Sequence, residues 1–103
     1  MAQLNYQERY QRIAHKCAIN AVAISPNGRW FITGSNDSTV LVWSTSSGVD
    51  LCHIMAHSPV LSLAWLTNSN GFIFGCKNSM VGFVDVLEVR PNLRIGIQPE
   101  QFC

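Results

Sequence analysis

One segment of this chain nearly repeats itself, and that self-similarity limits the available folds more than any other feature. Residues 15–43 read His-Lys-Cys-Ala-Ile-Asn-Ala-Val-Ala-Ile-Ser-Pro-Asn-Gly-Arg-Trp-Phe-Ile-Thr-Gly-Ser-Asn-Asp-Ser-Thr-Val-Leu-Val-Trp. Ile19, Ile24, Gly34 and Val40 return as Val60, Trp65, Gly75 and Val81, each 41 positions later. Within each copy, short apolar and β-branched runs alternate with Gly, Pro, Asn and Asp, the residues that turn a chain between strands.

The first unit is predicted to have strands at 18–25, 30–35, 39–43 and 49–55. The second has them at 60–66, 72–77 and 80–86. Thr67–Gly71 reads as a longer loop than the Ser25-Pro26-Asn27-Gly28 turn, and loop indels account for a spacing of 42 between His15 and His57. Two terminal stretches are candidate outer strands. Tyr6–Ala14 would precede the first unit, although its Glu, Arg and Gln also suit a helical turn. Asn92–Gln98 would complete the second. The chain thus divides into an N-terminal segment at 1–14, units at 15–56 and 57–98, and a tail at 99–103. A period of about 40–45 residues with four strands per repeat is that of a β-propeller blade. The predicted fold is all-β: a partial propeller of two four-stranded antiparallel blades.

Composition supports a buried, weakly charged fold. Only 13% of the 103 residues are charged and 48% are apolar, with a net charge of +1. No basic field invites nucleic acid, and no run approaches the ~18 apolar residues of a membrane span. The first twelve residues are polar and resemble neither a signal nor a transit peptide. An intracellular setting, cytoplasmic or nuclear, is expected. Cys17, Cys52 and Cys76 lie in apolar, strand-like sequence and are expected as buried free thiols. Cys103 is terminal and expected to be exposed.

The repeated motif resembles the WD40 repeat. The first unit carries His15, Ile19, Ser25-Pro26-Asn27-Gly28, Thr33-Gly34-Ser35-Asn36-Asp37, Thr39-Val40 and Trp43, with Ser44 where the family places Asp. The second is degenerate. His57, Val60, Gly75, Val81 and Asp85 fit, but Phe74, Asn78 and Val84 replace Thr33, Asp37 and Trp43. The resemblance implies a non-enzymatic scaffold that binds proteins or peptides, with no cofactor or metal. It also implies that His15, Thr33, Asp37 and Trp43 form a structural hydrogen-bond relay. The partner-binding top face carries over as Ala18, Asn20, Asn36, Pro59, Leu61 and Lys77, with Leu61 as an apolar anchor.

Other chemistries weigh less. His, Thr and Asp are ingredients of nucleophilic catalysis, but Thr33 has no identifiable oxyanion hole. His53 and His57 have helical metal spacing, yet on a strand residues i and i+4 stand about 13 Å apart. The aromatic residues lack the interleaved basic residues of a base-stacking surface, and are expected to pack between blades. The glycines lack the Lys-Ser/Thr of a phosphate loop. A ligand-binding or enzymatic propeller would need convergent acids or metal ligands on inner strands, and Ala18–Ser25 and Val60–Leu66 carry none.

Two blades do not close a ring, since propellers have about four to eight. Either this is a piece of a longer repeat protein, or copies of it assemble into a ring. An outer strand at 92–98 would favour the former, because it occupies the place that a neighbouring copy's N-terminal strand would fill.

Overall fold

The computed structural model describes residues 14–89 and 92–97. Eight strands follow one another: β1 (Ile19–Ile24), β2 (Trp30–Ser35), β3 (Thr39–Ser44), β4 (Asp50–Met55), β5 (Val60–Trp65), β6 (Gly71–Cys76), β7 (Val81–Val89) and β8 (Asn92–Ile97). They form two four-stranded antiparallel sheets, ordered β1-β2-β3-β4 and β5-β6-β7-β8. Both candidate blades are present. Within the stretch expected at 92–98, Asn92–Ile97 does pair as an outer strand, on β7. The N-terminal candidate strand falls mostly on residues 1–13, and the tail on 99–103, outside the described residues.

The 41-residue step extends to individual backbone bonds. Gly28 N donates to Ser25 O, and Ser69 N to Leu66 O. Asn36 N donates to Ala18 O, and Lys77 N to Pro59 O. Ser38 N donates to Ser35 O, and Ser79 N to Cys76 O. The irregularity in β1 between Ile19 and Ala21 recurs in β5 between Val60 and Ser62. Left-handed backbone recurs too, at Gly28 (φ 73°) and Ser69 (φ 61°), and at Ser38 (φ 68°) and Ser79 (φ 75°).

This register corrects one expectation. The loop between β5 and β6, residues 66–70, is the same length as that between β1 and β2, residues 25–29. The one-residue difference that sets the histidines 42 apart lies instead before the inner strands: His15 is four positions ahead of Ile19 and His57 three ahead of Val60. His57 is exposed, whereas the His15 side chain is buried.

The core is the seam between the sheets. Trp30, Ile32, Val40, Val42 and Ile54 of the first sheet meet Val60, Phe72, Phe74, Cys76, Val84 and Val86 of the second, with Leu63 and Trp65 packed alongside. Period-2 alternation turns these residues to one face of each strand. Trp30 and Trp65 stack across the seam with ring centroids 6.2 Å apart. Polar bonds pin the same joint. The Trp65 indole N–H donates to Ala23 O at 3.2 Å, Asn20 Nδ2 to Val60 O at 2.9 Å, and Asn27 N to Ser69 Oγ at 3.0 Å.

Of the aromatic residues expected between blades, Trp30, Trp65, Phe72 and Phe74 lie at the seam. Phe31 and Trp43 stack on the opposite face of the first sheet, and Phe83 is exposed on the far face of the second. Cys76 is buried and Cys52 half-buried, but Cys17 is exposed. Cys17 precedes β1 in an irregular bend, so no strand pairing carries it inward. All three thiols are free.

Candidate functional site

His15, Thr33, Asp37 and Trp43 come together as one hydrogen-bonded chain. Thr33 on β2 and Trp43 on β3 lie on the same face, while His15 approaches from the segment before β1. The Trp43 indole N–H donates to Thr33 Oγ1 at 3.1 Å. Thr33 Oγ1 lies 2.7 Å from His15 Nε2, and His15 Nδ1 lies 3.0 Å from Asp37 Oδ2. The donor inventory sets the direction of the chain. Indole only donates, so Thr33 Oγ1 accepts from Trp43, and a carboxylate only accepts, so the His15 Nδ1–H faces Asp37.

Asp37 is also the hub of its turn. Its carboxylate accepts Lys16 N at 3.0 Å and Thr39 N at 3.1 Å. Its own amide donates to Ser35 Oγ at 3.1 Å, and that hydroxyl donates to Ala18 O at 2.9 Å. One carboxylate therefore ties the entry segment, the β2–β3 turn and β3 together. Burial pushes the Asp37 carboxyl up. The Lys16 amide, the His15 hydrogen bond and charge attraction, and Ser35 outweigh that and hold it below its usual value.

The arrangement suits bracing and not nucleophilic attack. His15 has a side chain only 1% exposed, and Thr33 is buried with its hydroxyl committed at both ends. Among the described residues, no group of three His, Cys, Asp or Glu side chains could hold a metal ion. His53 instead pairs with Asp50 at 2.6 Å on exposed β4.

The second sheet keeps only the turn half of this device. Asn78 Oδ1 accepts Met80 N at 3.1 Å, as Asp37 accepts Thr39 N, and the Asn78 backbone N–H donates to Ser58 Oγ at 3.2 Å. Where Thr33 faces Leu41, Phe74 faces Gly82. A methyl added at Gly82 would run into the Phe74 ring. The ring fills space that a second side chain would otherwise take. This exchange was visible in the sequence as paired substitutions at the 41-residue step, Thr to Phe and Leu to Gly.

The six top-face candidates all lie at the end of the sheets where β1 and β5 begin. Ala18, Asn36, Leu61 and Lys77 are exposed, and Pro59 is half-buried. Asn20 is exposed too, but its amide is partly committed, donating to Asn36 Oδ1 at 2.7 Å as well as to Val60 O. Sequence reasoning did not find this clamp between sheets. Leu61 and Lys77 occupy the equivalent positions of the second sheet.

Comparison with known proteins converges on the same architecture. Residues 7–44 match the family described as WD domain, G-beta repeat. The ribosome biogenesis protein BOP1 homolog of Dictyostelium discoideum is 38% identical over 76 residues, which is 72% of this chain and 9% of that protein. The nuclear distribution protein PAC1 of Scheffersomyces stipitis is 34% identical over 61 residues, 59% of this chain and 10% of that protein. The chain thus spans a tenth or less of the length of these relatives. The β-propeller domain of Cps50 (Swd1) from Myceliophteria thermophila superposes with a TM-score of 0.66 at 19% identity, over 82% of this chain and 27% of that one. Sheet topology, relay and these likenesses agree: the chain is built of WD40-type β-propeller blades.

Proposed function

We propose that this chain is a two-blade section of a non-enzymatic WD40-type scaffold that holds proteins or peptides on its top face. The observation that carries this reading is the commitment of His15, Thr33 and Asp37 to one another. The groups that chemistry would need are spent on rigidity, which leaves the variable end residues to make contacts on a fixed frame. Leu61 serves as the apolar anchor, with Lys77, Asn36 and Asn20 as its polar surround and Ala18 and Pro59 at its margin. An apolar centre with a polar rim is the usual anatomy of a protein–protein interface.

No cofactor, nucleic acid or membrane enters this reading. We place the chain inside the cell, in the nucleus or the cytoplasm, on the strength of relatives named for ribosome biogenesis and nuclear distribution. Relatives with such different names match overlapping stretches of blade, so the likeness follows the repeat and not one pathway.

The test begins with partners captured by cross-linking in cells. For any partner obtained, Leu61→Ala combined with Lys77→Glu is expected to weaken binding at least tenfold, equal to about 1.4 kcal/mol, with circular dichroism and melting midpoint unchanged. Unchanged affinity, with a loss on mutating the opposite loop at Ser44–Gly48, would move the site to the other end of the blades. A steep fall of binding with salt toward DNA or RNA would replace a protein partner with a nucleic acid.

A further inference from the structure

The end of the sheets where β1 and β5 begin is chemically one-sided. Among the described residues its exposed ionisable side chains are Lys16, His57 and Lys77, and its one carboxylate is Asp37. That carboxylate is turned inward, with its side chain 11% exposed. Its oxygens are taken by His15, Lys16 N and Thr39 N, so it offers a partner little negative surface. Arg29, Asp50 and Asp85 lie toward the opposite end, before β2, at the start of β4 and across from Gly71 at the start of β6.

The amides lean the same way. Asn20 Nδ2 donates to Val60 O, so the Asn36 atom 2.7 Å from that nitrogen is the acceptor Oδ1. The Asn36 amino group is thereby left for a partner. Asn78 is arranged alike, because its Oδ1 accepts Met80 N. Asn20 is the complement: both of its amino bonds are spent inside the molecule and its Oδ1 remains as an acceptor. The frame is fixed. Lys16 N is held by Asp37 Oδ2 at 3.0 Å, and Lys77 N by Pro59 O at 2.9 Å. The bond from Asn20 to Val60 O ties the blade that carries Lys16 to the blade that carries Lys77.

We infer that the top face takes an acidic peptide, with one aspartate or glutamate carboxylate on Lys16, a second on Lys77 and an apolar side chain of the peptide on Leu61. The inference rests on the top-face reading above and names the chemistry of its partner. Charge complementarity carries it, since two cations and two outward amino groups meet no outward carboxylate. Phosphate is typically gripped by clustered guanidinium forks. Here each blade supplies a single lysine point charge, and Arg29 is at the far end, which suits singly charged carboxylates. Asn20 Oδ1 favours a peptide over a nucleic acid, because every peptide unit but proline brings an N–H for it to accept and a phosphodiester backbone brings none.

The probes are matched sets of short fluorescein-labelled peptides. They are identical except that the residues around one central leucine are Asp and Glu, Asn and Gln, Lys, or phosphoserine. Labelled oligo-dT is added as a nucleic acid. Anisotropy titrations with the full chain are expected to show the Asp/Glu set binding about tenfold tighter than the Asn/Gln set, as two exposed charge pairs together allow. Added salt should shrink that difference. Lys16→Met and Lys77→Met keep side-chain length without charge. Each is expected to reduce the preference about two- to fivefold with the melting midpoint unchanged. Lys16→Glu combined with Lys77→Glu is expected to turn the preference toward the Lys set. Equal binding of the Asp/Glu and Asn/Gln sets, tighter binding of phosphoserine or oligo-dT, or no binding of any set would overturn the inference. For a partner captured in cells, binding lost on Leu61→Ala but kept on Lys16→Met would leave the top face standing and remove only its acidic partner. Binding kept on Leu61→Ala, Lys16→Met and Lys77→Met alike would remove the top face as well.

Discussion

In the first blade Thr33 faces Leu41 across β2 and β3; in the second, Phe74 faces Gly82 across β6 and β7. The two positions share strand and register, and the same turn bond follows each, from Ser38 N to Ser35 O and from Ser79 N to Cys76 O. The first blade stabilises its β2–β3 turn with a buried polar chain running from indole to carboxylate. The second places one aromatic ring over a glycine at the seam and keeps only an asparagine to hold the turn. A blade therefore needs its outline maintained, and either a satisfied polar network or a close-packed ring can do that. The two solutions should fail differently, because losing a ring leaves a cavity while losing a carboxylate leaves buried donors unpaired.

The largest effect is expected from importing the first blade's residue into the second. Phe74→Thr removes a ring at the centre of the seam and leaves a hydroxyl where Val84 stands at the position of Trp43. Urea melts should show a loss of about 3–5 kcal/mol, as for deletion of a buried Phe. A loss below 1 kcal/mol would mean that the two fillings are interchangeable locally, and the contrast drawn here would collapse.

Asp37→Ala comes next. It strips the partner from His15 and leaves Lys16 N and Thr39 N without their acceptor, at an expected cost of about 1–3 kcal/mol. The contrast sharpens if Asp37→Ala and Asp37→Asn are compared, since asparagine can keep the Thr39 bond, as Asn78 does for Met80. Asparagine should recover part of the loss. Equal losses would assign the whole effect to charge.

A smaller effect separates the blades by pH. The Asp37 carboxyl titrates lower in the folded chain than its ordinary value. Its ionised form therefore stabilises fully above the unfolded pKa, and that contribution disappears as pH falls through the folded pKa. The stability gap between wild type and Asp37→Asn should narrow in acid below the ordinary carboxylate range. A gap that stays constant down to the acid limit of folding would remove charge from the account. The smallest effect is expected from Asn78→Ala, below about 1 kcal/mol, because only one turn bond is lost. A loss matching that of Asp37→Ala would show that the second blade leans on its turn as heavily as the first.

Most of the strand plan could be read from the chain because turn residues bracket short β-branched runs. Trp30–Ser35 reads the same from sequence and structure, and the others differ by a few residues at their ends. The relay was readable because His15, Thr33, Asp37 and Trp43 match the WD40 motif, and that resemblance implies a hydrogen-bonded chain among these residue types. The second histidine matches by residue type, but its path to the inner strand is one residue shorter and Phe74 and Asn78 stand where Thr33 and Asp37 would receive it. Cys17 looked buried because its neighbours are apolar, although no strand holds it. Asn20 looked like an unencumbered surface amide. Its bond to Val60 O joins residues 40 apart in sequence, and long-range pairing of that kind leaves no local trace.

The stacked indoles at the seam give the molecule an optical signature of its own assembly. Trp30 belongs to the first blade and Trp65 to the second, with ring planes inclined by 18°. Two chromophores at this separation couple their electronic transitions, and the resulting near-ultraviolet signal vanishes when the rings part. Far-ultraviolet signal, by contrast, reports strand content within each sheet. Loss of the first before the second on heating would show blades that separate while still folded, and simultaneous loss would show one cooperative body. No label is needed to distinguish them.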